Sequence, residues 1–189
     1  SINLPFARMT AKAADWGVPM LLGEYGATPT AGNVRAYVDE LYRQLDKALA
    51  SGTQWVYTPG WDPALKDGWN GEDFSIVDDT GATRANFRVR PFPRAVAGEP
   101  TAIRVTYQGF LKANSIEVEW MHDPALGETE IFAPKDALFP DGMTFTQTEG
   151  DDLACAYDAE ERFIHCTSSV AGPKRFKIRG CVELFGLCL

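Results

Sequence analysis

No stretch of this chain approaches the roughly 20 consecutive apolar residues that a helix needs to cross a bilayer. Positive charge is scarce: 18 Lys and Arg stand against 26 Asp and Glu, a net charge of −8. A polyanion is held by clustered cations that displace its counterions, so no nucleic-acid partner is expected. The one basic run, Lys174, Arg175, Lys177 and Arg179, is expected to be the solvated face of a strand, its side chains at alternate positions. There is no Gly-x-Ser-x-Gly elbow for a serine hydrolase and no glycine-rich phosphate loop. No Cys-x-x-Cys pair occurs, which leaves a structural zinc site poorly supported, and His122 and His165 are the only histidines. The acidic stretch Glu72, Asp73, Asp78, Asp79 lacks the ligand spacing of an EF-hand loop. It is expected to be a solvated loop, and neither a metal nor any other cofactor is expected. The opening SINLPFARMT lacks a charged segment followed by an apolar one, so it does not read as a secretory leader.

What is present is the composition of an ordinary globular protein, 45% apolar and 23% charged, in 189 residues, enough for one large domain or two small ones. The two halves carry different periods. Residues 5–16 place Phe6, Met9, Ala13 and Trp16 at helical spacing, and Gly17 is expected at the left-handed position that ends the helix. Pro19 to Leu22 then runs apolar without alternation, as in a parallel strand buried on both faces, and leads into Gly23-Glu24-Tyr25-Gly26. Val34, Tyr37, Val38, Leu41, Tyr42, Leu45, Ala48 and Leu49 hold the 3.6 period, with Ser51-Gly52 expected to close that helix. Residues 53–58 read as a second buried strand, completing a βαβ unit with parallel strands.

After about residue 91 the period becomes two. Ile103, Val105 and Tyr107, then Ile116, Val118 and Trp120, alternate with polar residues. Further short strands are expected near 143–148, 153–157, 162–167 and 175–184, the pattern of an antiparallel β-sandwich. Pro91, Pro93, Gly98 and Pro100 mark the junction, which divides the chain into 1–90 and 91–189. All four cysteines lie in the second part. Cys155 and Cys166 bracket the turn 158–161 and are expected to pair across a hairpin, and Cys181 with Cys188. Two local disulfides imply an oxidising, extracellular setting, whereas four free buried thiols would suit the cytosol.

Two parallel strands with their helices cannot cover a doubly buried sheet. Leu21, Leu22, Trp55 and Val56 call for neighbouring strands, so residues 1–90 are expected to complete a larger α/β structure with polypeptide from upstream. Within that structure Glu24 stands at the carboxyl end of a parallel strand, where barrel enzymes keep their reacting groups. A strand-end glutamate also serves simply to bridge a cation or cap a helix.

The wider context bears on that choice. PMLLGEYGA, a long helix, QWVYTPGWDP, DGWNGEDFSIVDDTG and RPFPRAVAGEP together resemble the end of glycoside hydrolase family five, in its endoglycoceramidase and related glycosphingolipid-hydrolase branch. The resemblance implies the last strands and helices of a (β/α)8 TIM barrel followed by an antiparallel β-sandwich. It implies a retaining β-glycosidase that splits glycan from ceramide, with a glycosphingolipid as substrate and Glu24 as nucleophile. A second carboxyl group, about 5–5.5 Å away, would protonate the leaving oxygen and then activate water. The family carries that acid/base as Asn-Glu after its fourth strand; no Asn-Glu occurs here, which agrees with the need for an upstream barrel segment. Trp55 and Trp61 are candidates for stacking on the sugar, Trp55 preferred for its place on the family's tryptophan strand. Each could equally be packing, Trp55 in a barrel core and Trp61 on its rim. Tyr57 and Trp69 are better suited to core packing. A related glucosidase or glucanase with another aglycone shares this pattern, and a noncatalytic carbohydrate- or lipid-binding module is the reading from another class. The apolar tail Val182, Leu184, Phe185, Leu187 and Leu189 suits a core strand or a transient contact with a membrane or micelle.

Overall fold

The computed structural model describes residues 2–62, 64, 72–107, 114–150, 152–181, 183, 184, 187 and 188, with the backbone course alone for the last four and for 147 and 148. The chain divides into two compact units, Ser1–Val89 and Arg90–Leu189.

The first unit is built on α1 (Asn3–Trp16), β1 (Leu21–Gly26), α2 (Val34–Ala48) and β2 (Ser51–Trp55). Helix α1 ends where its sequence says it should. Gly17 takes a left-handed φ of 64° and donates its N–H to the Ala14 carbonyl at 3.1 Å, while Val18 reaches Ala13 at 3.0 Å. Helix α2 buries Val34, Val38, Leu41, Tyr42 and Leu45 on one face, the apolar stripe of the 3.6 period. Its end departs from expectation: Leu49, not Ser51-Gly52, adopts the left-handed conformation, and Ala50 N–H closes on the Leu45 carbonyl at 2.9 Å. The chain is thereby free to pair from Ser51 onward, and Gly52 lies inside β2. Strands β1 and β2 pair in parallel as an isolated two-stranded sheet, with no closed barrel among the described residues.

Burial on both strand faces is not what the structure shows. Leu21 is 64% exposed, and on α1 only Phe6 of the apolar positions is buried, with Trp16 67% exposed. The reason is geometric, since α1 and α2 supply side chains to one face of the pair while the other face has no covering layer among the described residues.

The second unit holds two four-stranded antiparallel sheets. One runs in the order β4 (Gly98–Thr106), β5 (Ser115–His122), β10 (Gly172–Gly180), β7 (Met143–Glu149). The other runs β3 (Phe92–Ala95), β6 (Thr129–Phe132), β9 (Phe163–Thr167), β8 (Ala154–Asp158). A short helix α3 (Lys135–Leu138) follows β6, and a small hairpin of β11 (Glu183–Leu184) and β12 (Leu187–Cys188) comes last. Each sheet buries alternate residues: Ile116, Val118, Trp120, Phe176 and Ile178 from the first, Thr129, Ile131, Ile164 and Cys166 from the second. That arrangement is a β-sandwich core, with one dry face per sheet.

Two expectations are corrected here. The proline-rich junction contains β3, because Pro93 sits on a strand paired on one side only, where a missing N–H costs no ladder bond. The basic run is not all on one solvated face either: Lys174 is 4% exposed and lies on the same side of β10 as Phe176 and Ile178. Its stem is buried while Nζ reaches Asp152 Oδ1 at 2.7 Å. Arg175 and Lys177 do face outward and are met by Glu117, at 2.7 and 3.6 Å. The acidic stretch of the first unit is structural where it is described. Asp73 pairs with Arg84 at 2.6 Å, and Asp78 accepts from the hydroxyl of Thr80 and the N–H groups of Thr80 and Ala82.

Candidate active site

The site begins with the register of β1 and β2. Leu22 lies opposite Gly52 and Tyr25 opposite Gln54, so β1 carries one residue more than its partner between those points. Gly23 and Glu24 form a β-bulge, a device that re-aims a side chain and interrupts pairing. Thr53 stitches the bulge by donating its hydroxyl to the Gly23 carbonyl. Leu22 and Tyr25 both pack toward the helices, with the Tyr25 ring set edge-on to Tyr42 at 6.2 Å. Gln54 faces the same way, its side-chain oxygen accepting from the Tyr42 hydroxyl. Strand alternation therefore turns Thr53 and Trp55 to the opposite face, and the bulge leaves Glu24 there with them.

Glu24 is exposed near the carboxyl end of β1. Among the described residues its carboxylate makes no ion pair or hydrogen bond. Trp55 is half-buried at the end of β2, and its peptide bond to Val56 is cis. Gly26 lies opposite Trp55, and a Cβ on it would stand 2.4 Å from the Trp55 carbonyl oxygen. The second glycine of the Gly-Glu-Tyr-Gly motif is thus required by close approach of the two strand ends. These contacts bring Glu24 and Trp55 to the same end and the same face of the sheet.

The segment after β2 is held by returning chain. Val56 exchanges backbone hydrogen bonds with Phe74 and Ile76 at 3.2 and 2.9 Å. Fully buried Ser75 donates its hydroxyl to the Thr58 carbonyl at 2.8 Å and accepts from the Thr58 N–H at 3.2 Å. Residues 56–58 therefore lie beyond the strand rather than in it, and Tyr57, expected in the core, is exposed. Trp61 is half-buried, with its indole nitrogen buried and without a hydrogen-bond partner among the described residues. Trp69 lies outside them. Sequence reasoning missed the bulge, Gln54 and Ser75; a bulge is a property of two strands together, and a buried serine in a polar stretch carries no periodic signal.

In the second unit Cys155 and Cys166 are disulfide-bonded and directly opposite in the register of β8 and β9, as their bracketing of the turn implies. The pairing of Cys181 with Cys188 falls outside the described residues, because of the Cys188 side chain. So do the side chains of the apolar tail.

Residues 90–179 match the model of the glycoside hydrolase family 5 C-terminal domain. That match spans just under half of the chain. A glucosylceramidase of Cryptococcus neoformans var. grubii is 24% identical over 180 residues, covering 78% of this chain and 24% of the relative. Endo-glycoceramidase II from Rhodococcus sp., solved as its lactosyl-enzyme intermediate, is 23% identical over 96% of this chain and 38% of that one, with a TM-score of 0.68. The same enzyme in complex with ganglioside GM3 gives 24% identity and the same TM-score. Sterylglucosidase 1 of Cryptococcus neoformans aligns at 18% identity over 93% of this chain and 32% of its own, with a TM-score of 0.62. At these identities the solved structures establish a shared fold. The chain spans about a quarter of the curated relative and under two fifths of the solved ones.

Proposed function

We propose that the chain forms part of a retaining β-glycosidase that cleaves the bond between glycan and ceramide in glycosphingolipids, with Glu24 as its nucleophile. The observation that carries this reading is the exposed Glu24, without an ion pair among the described residues, re-aimed by a bulge beside the carboxyl end of a parallel strand and sharing a face with Trp55. In double displacement the Glu24 carboxylate attacks the anomeric carbon while a second carboxyl group protonates the departing oxygen; that group then takes a proton from water, which releases the sugar. The second carboxyl group and the remaining strands of a TIM barrel come from polypeptide outside residues 1–90. The face of β1 and β2 that no described residue covers, with Leu21 exposed, supports this division. In this reading Trp55 stacks on the sugar and Trp61 forms a further wall of the pocket. The names of the similar proteins support a glycosyl linkage to ceramide, and the GM3 complex supports a glycosphingolipid. The sterylglucosidase neighbour favours a second reading, the same sugar chemistry with a different aglycone. The Cys155–Cys166 disulfide supports secretion.

The test is hydrolysis of fluorescent glucosylceramide and lactosylceramide, beside a steryl glucoside, by the longer protein that contains this segment. Glu24→Gln is expected to lower kcat/KM by about 10³-fold or more, roughly 4 kcal/mol of transition-state stabilisation. A 2-fluoro glycoside trap should add its sugar to the peptide bearing Glu24. Undiminished turnover in Glu24→Gln sinks the assignment of the nucleophile, and turnover of the steryl substrate alone moves the aglycone to the second reading.

A further inference from the structure

The second unit carries a cluster that the glycosidase reading does not use. Glu130 on β6 and His165 on β9 are register partners, and Glu128 precedes β6 by one residue. One ligand-type atom from each of Glu128, Glu130 and His165 lies within 4.8 Å of the others. His165 Nδ1 stands 3.1 Å from Glu128 Oε1, and its Nε2 stands 3.3 Å from Glu161 Oε2. We propose that Glu128, Glu130 and His165 Nδ1 form a binding site for a single zinc ion, with Glu161 orienting the imidazole.

The arrangement around the ring points this way. Nδ1 meets the Glu128 carboxylate, Nε2 lies beside Glu161, and Glu130 brings a third donor within reach of Glu128 and the ring. Arg94 holds Glu130 only through Oε2, at 2.6 Å, and leaves Oε1 to turn toward the ion. A histidine that ligates with one nitrogen while a carboxylate holds the other N–H is the usual arrangement around protein-bound zinc. Atoms bound to one tetrahedral zinc at about 2.0–2.2 Å stand roughly 3.4 Å apart, so the widest separation must close by somewhat more than about 1 Å. Rotation of the exposed Glu128 side chain supplies most of that. Imidazole with carboxylates favours zinc over calcium or magnesium, which take oxygen ligands throughout. The absence of Cys-x-x-Cys pairs excludes only a thiolate site.

The scaffold is rigid where it matters. Thr129 and Ile131 flank Glu130, Ile164 and Cys166 flank His165, and all four are fully buried. Cys166 is further tied to Cys155. Ligands on packed strands are held more closely than ligands on loops. A zinc ion here would clamp β6 to β9 and, through Glu161, to the turn that joins β8 to β9.

Isothermal titration of the chain with zinc chloride at neutral pH tests the site cleanly. The other histidine, His122, is 3% exposed, with Nδ1 at 3.3 Å from Trp120 Nε1 and Nε2 at 3.0 Å from the Ser168 carbonyl. One zinc per chain is expected, with no matching response to magnesium. Changes to the outer partners of metal ligands already cost about 10–100-fold in affinity, so His165→Gln should weaken binding by at least that much. Glu161→Gln should weaken it about tenfold without changing the stoichiometry. Glu128→Gln alters an exposed side chain before the strand and keeps the test decisive if His165→Gln fails to fold, as read by far-ultraviolet circular dichroism. Absence of saturable zinc binding to the wild-type chain, or wild-type affinity in folded Glu128→Gln or His165→Gln, overturns the proposal.

Discussion

In Arg90–Leu189 alternate residues of two four-stranded sheets are buried, whereas the described residues of Ser1–Val89 form one parallel pair and cover it on one face. The contrast is sharp at the level of single residues. Ile164 is fully buried on β9, while Leu21, equally apolar, leaves 64% of its surface in water on β1. Both strands were readable as apolar from the sequence, so hydrophobicity alone does not decide burial. What decides it is the number of layers available to cover a strand, and that number differs between the units.

The comparison is broken or sharpened most strongly by truncating those two side chains. Ile164→Ala removes packed methyl groups from a closed interior and should cost about 2–5 kcal/mol in a denaturant titration of this chain. Leu21→Ala should cost no more than about 0.5 kcal/mol in the same experiment, as for surface substitutions elsewhere. A loss at Leu21 equal to that at Ile164 would end the comparison. In the longer protein that completes the sheet, Leu21→Ala should move into the larger range, which ties the stability measurement to the proposed barrel. The next effect in size is the disulfide. Cys155 and Cys166 are 11 residues apart, and opening so short a loop should cost about 2–3 kcal/mol in the double Ser variant, by restoring entropy to the unfolded chain. That loss should be confined to the second unit; hydrogen exchange resolved by residue would show α2 unchanged.

What could be read in advance follows the same division between local and long-range causes. The stripe from Val34 to Leu45 and the left-handed turn at Gly17 are set by neighbours a few residues away, and both are found as expected. The end of α2 is different, because Leu49 accepts a conformation usually left to glycine so that β2 can begin at Ser51 beside β1. Strand β6 passed unnoticed since Thr129–Phe132 is too short to show a period, and β3 was hidden by its prolines. Lys174 was placed with its run on the solvated face of a strand, but Asp152 supplies the partner that lets it lie inside, and that partner is 22 residues away. At the candidate active site the position of Glu24 near a strand end was legible. The bulge that re-aims it was not, since it exists only in the register of β1 against β2.

The smallest effect separates the units by acid. In the second unit burial pushes the Glu117 carboxyl upward, but the hydrogen bond from Arg175 and the charges of Arg175, Lys177 and Arg104 outweigh it and hold the group below its usual range. Asp152 is held down as well, by Lys174 first and Ser168 second. In the first unit the hydrogen bonds from Arg43 and then Gln44 bring Glu40 to about 2, on a largely solvated helix surface where such pairs contribute little. Each folded value lies below the unfolded one, so each contribution is fully present above the unfolded pKa of about 4 and is lost as pH falls through the folded value. The denaturation midpoint of the second unit should therefore decline between pH 5 and pH 3, by less in Glu117→Gln than in the wild type. Glu40→Gln should leave that decline unaltered, because its charge belongs to a helix in the other unit. A decline that Glu117→Gln leaves untouched would mean that the cationic cluster around β5 and β10 is arranged without coupling to folding, and Asp152 with Lys174 would then be the pair to alter next.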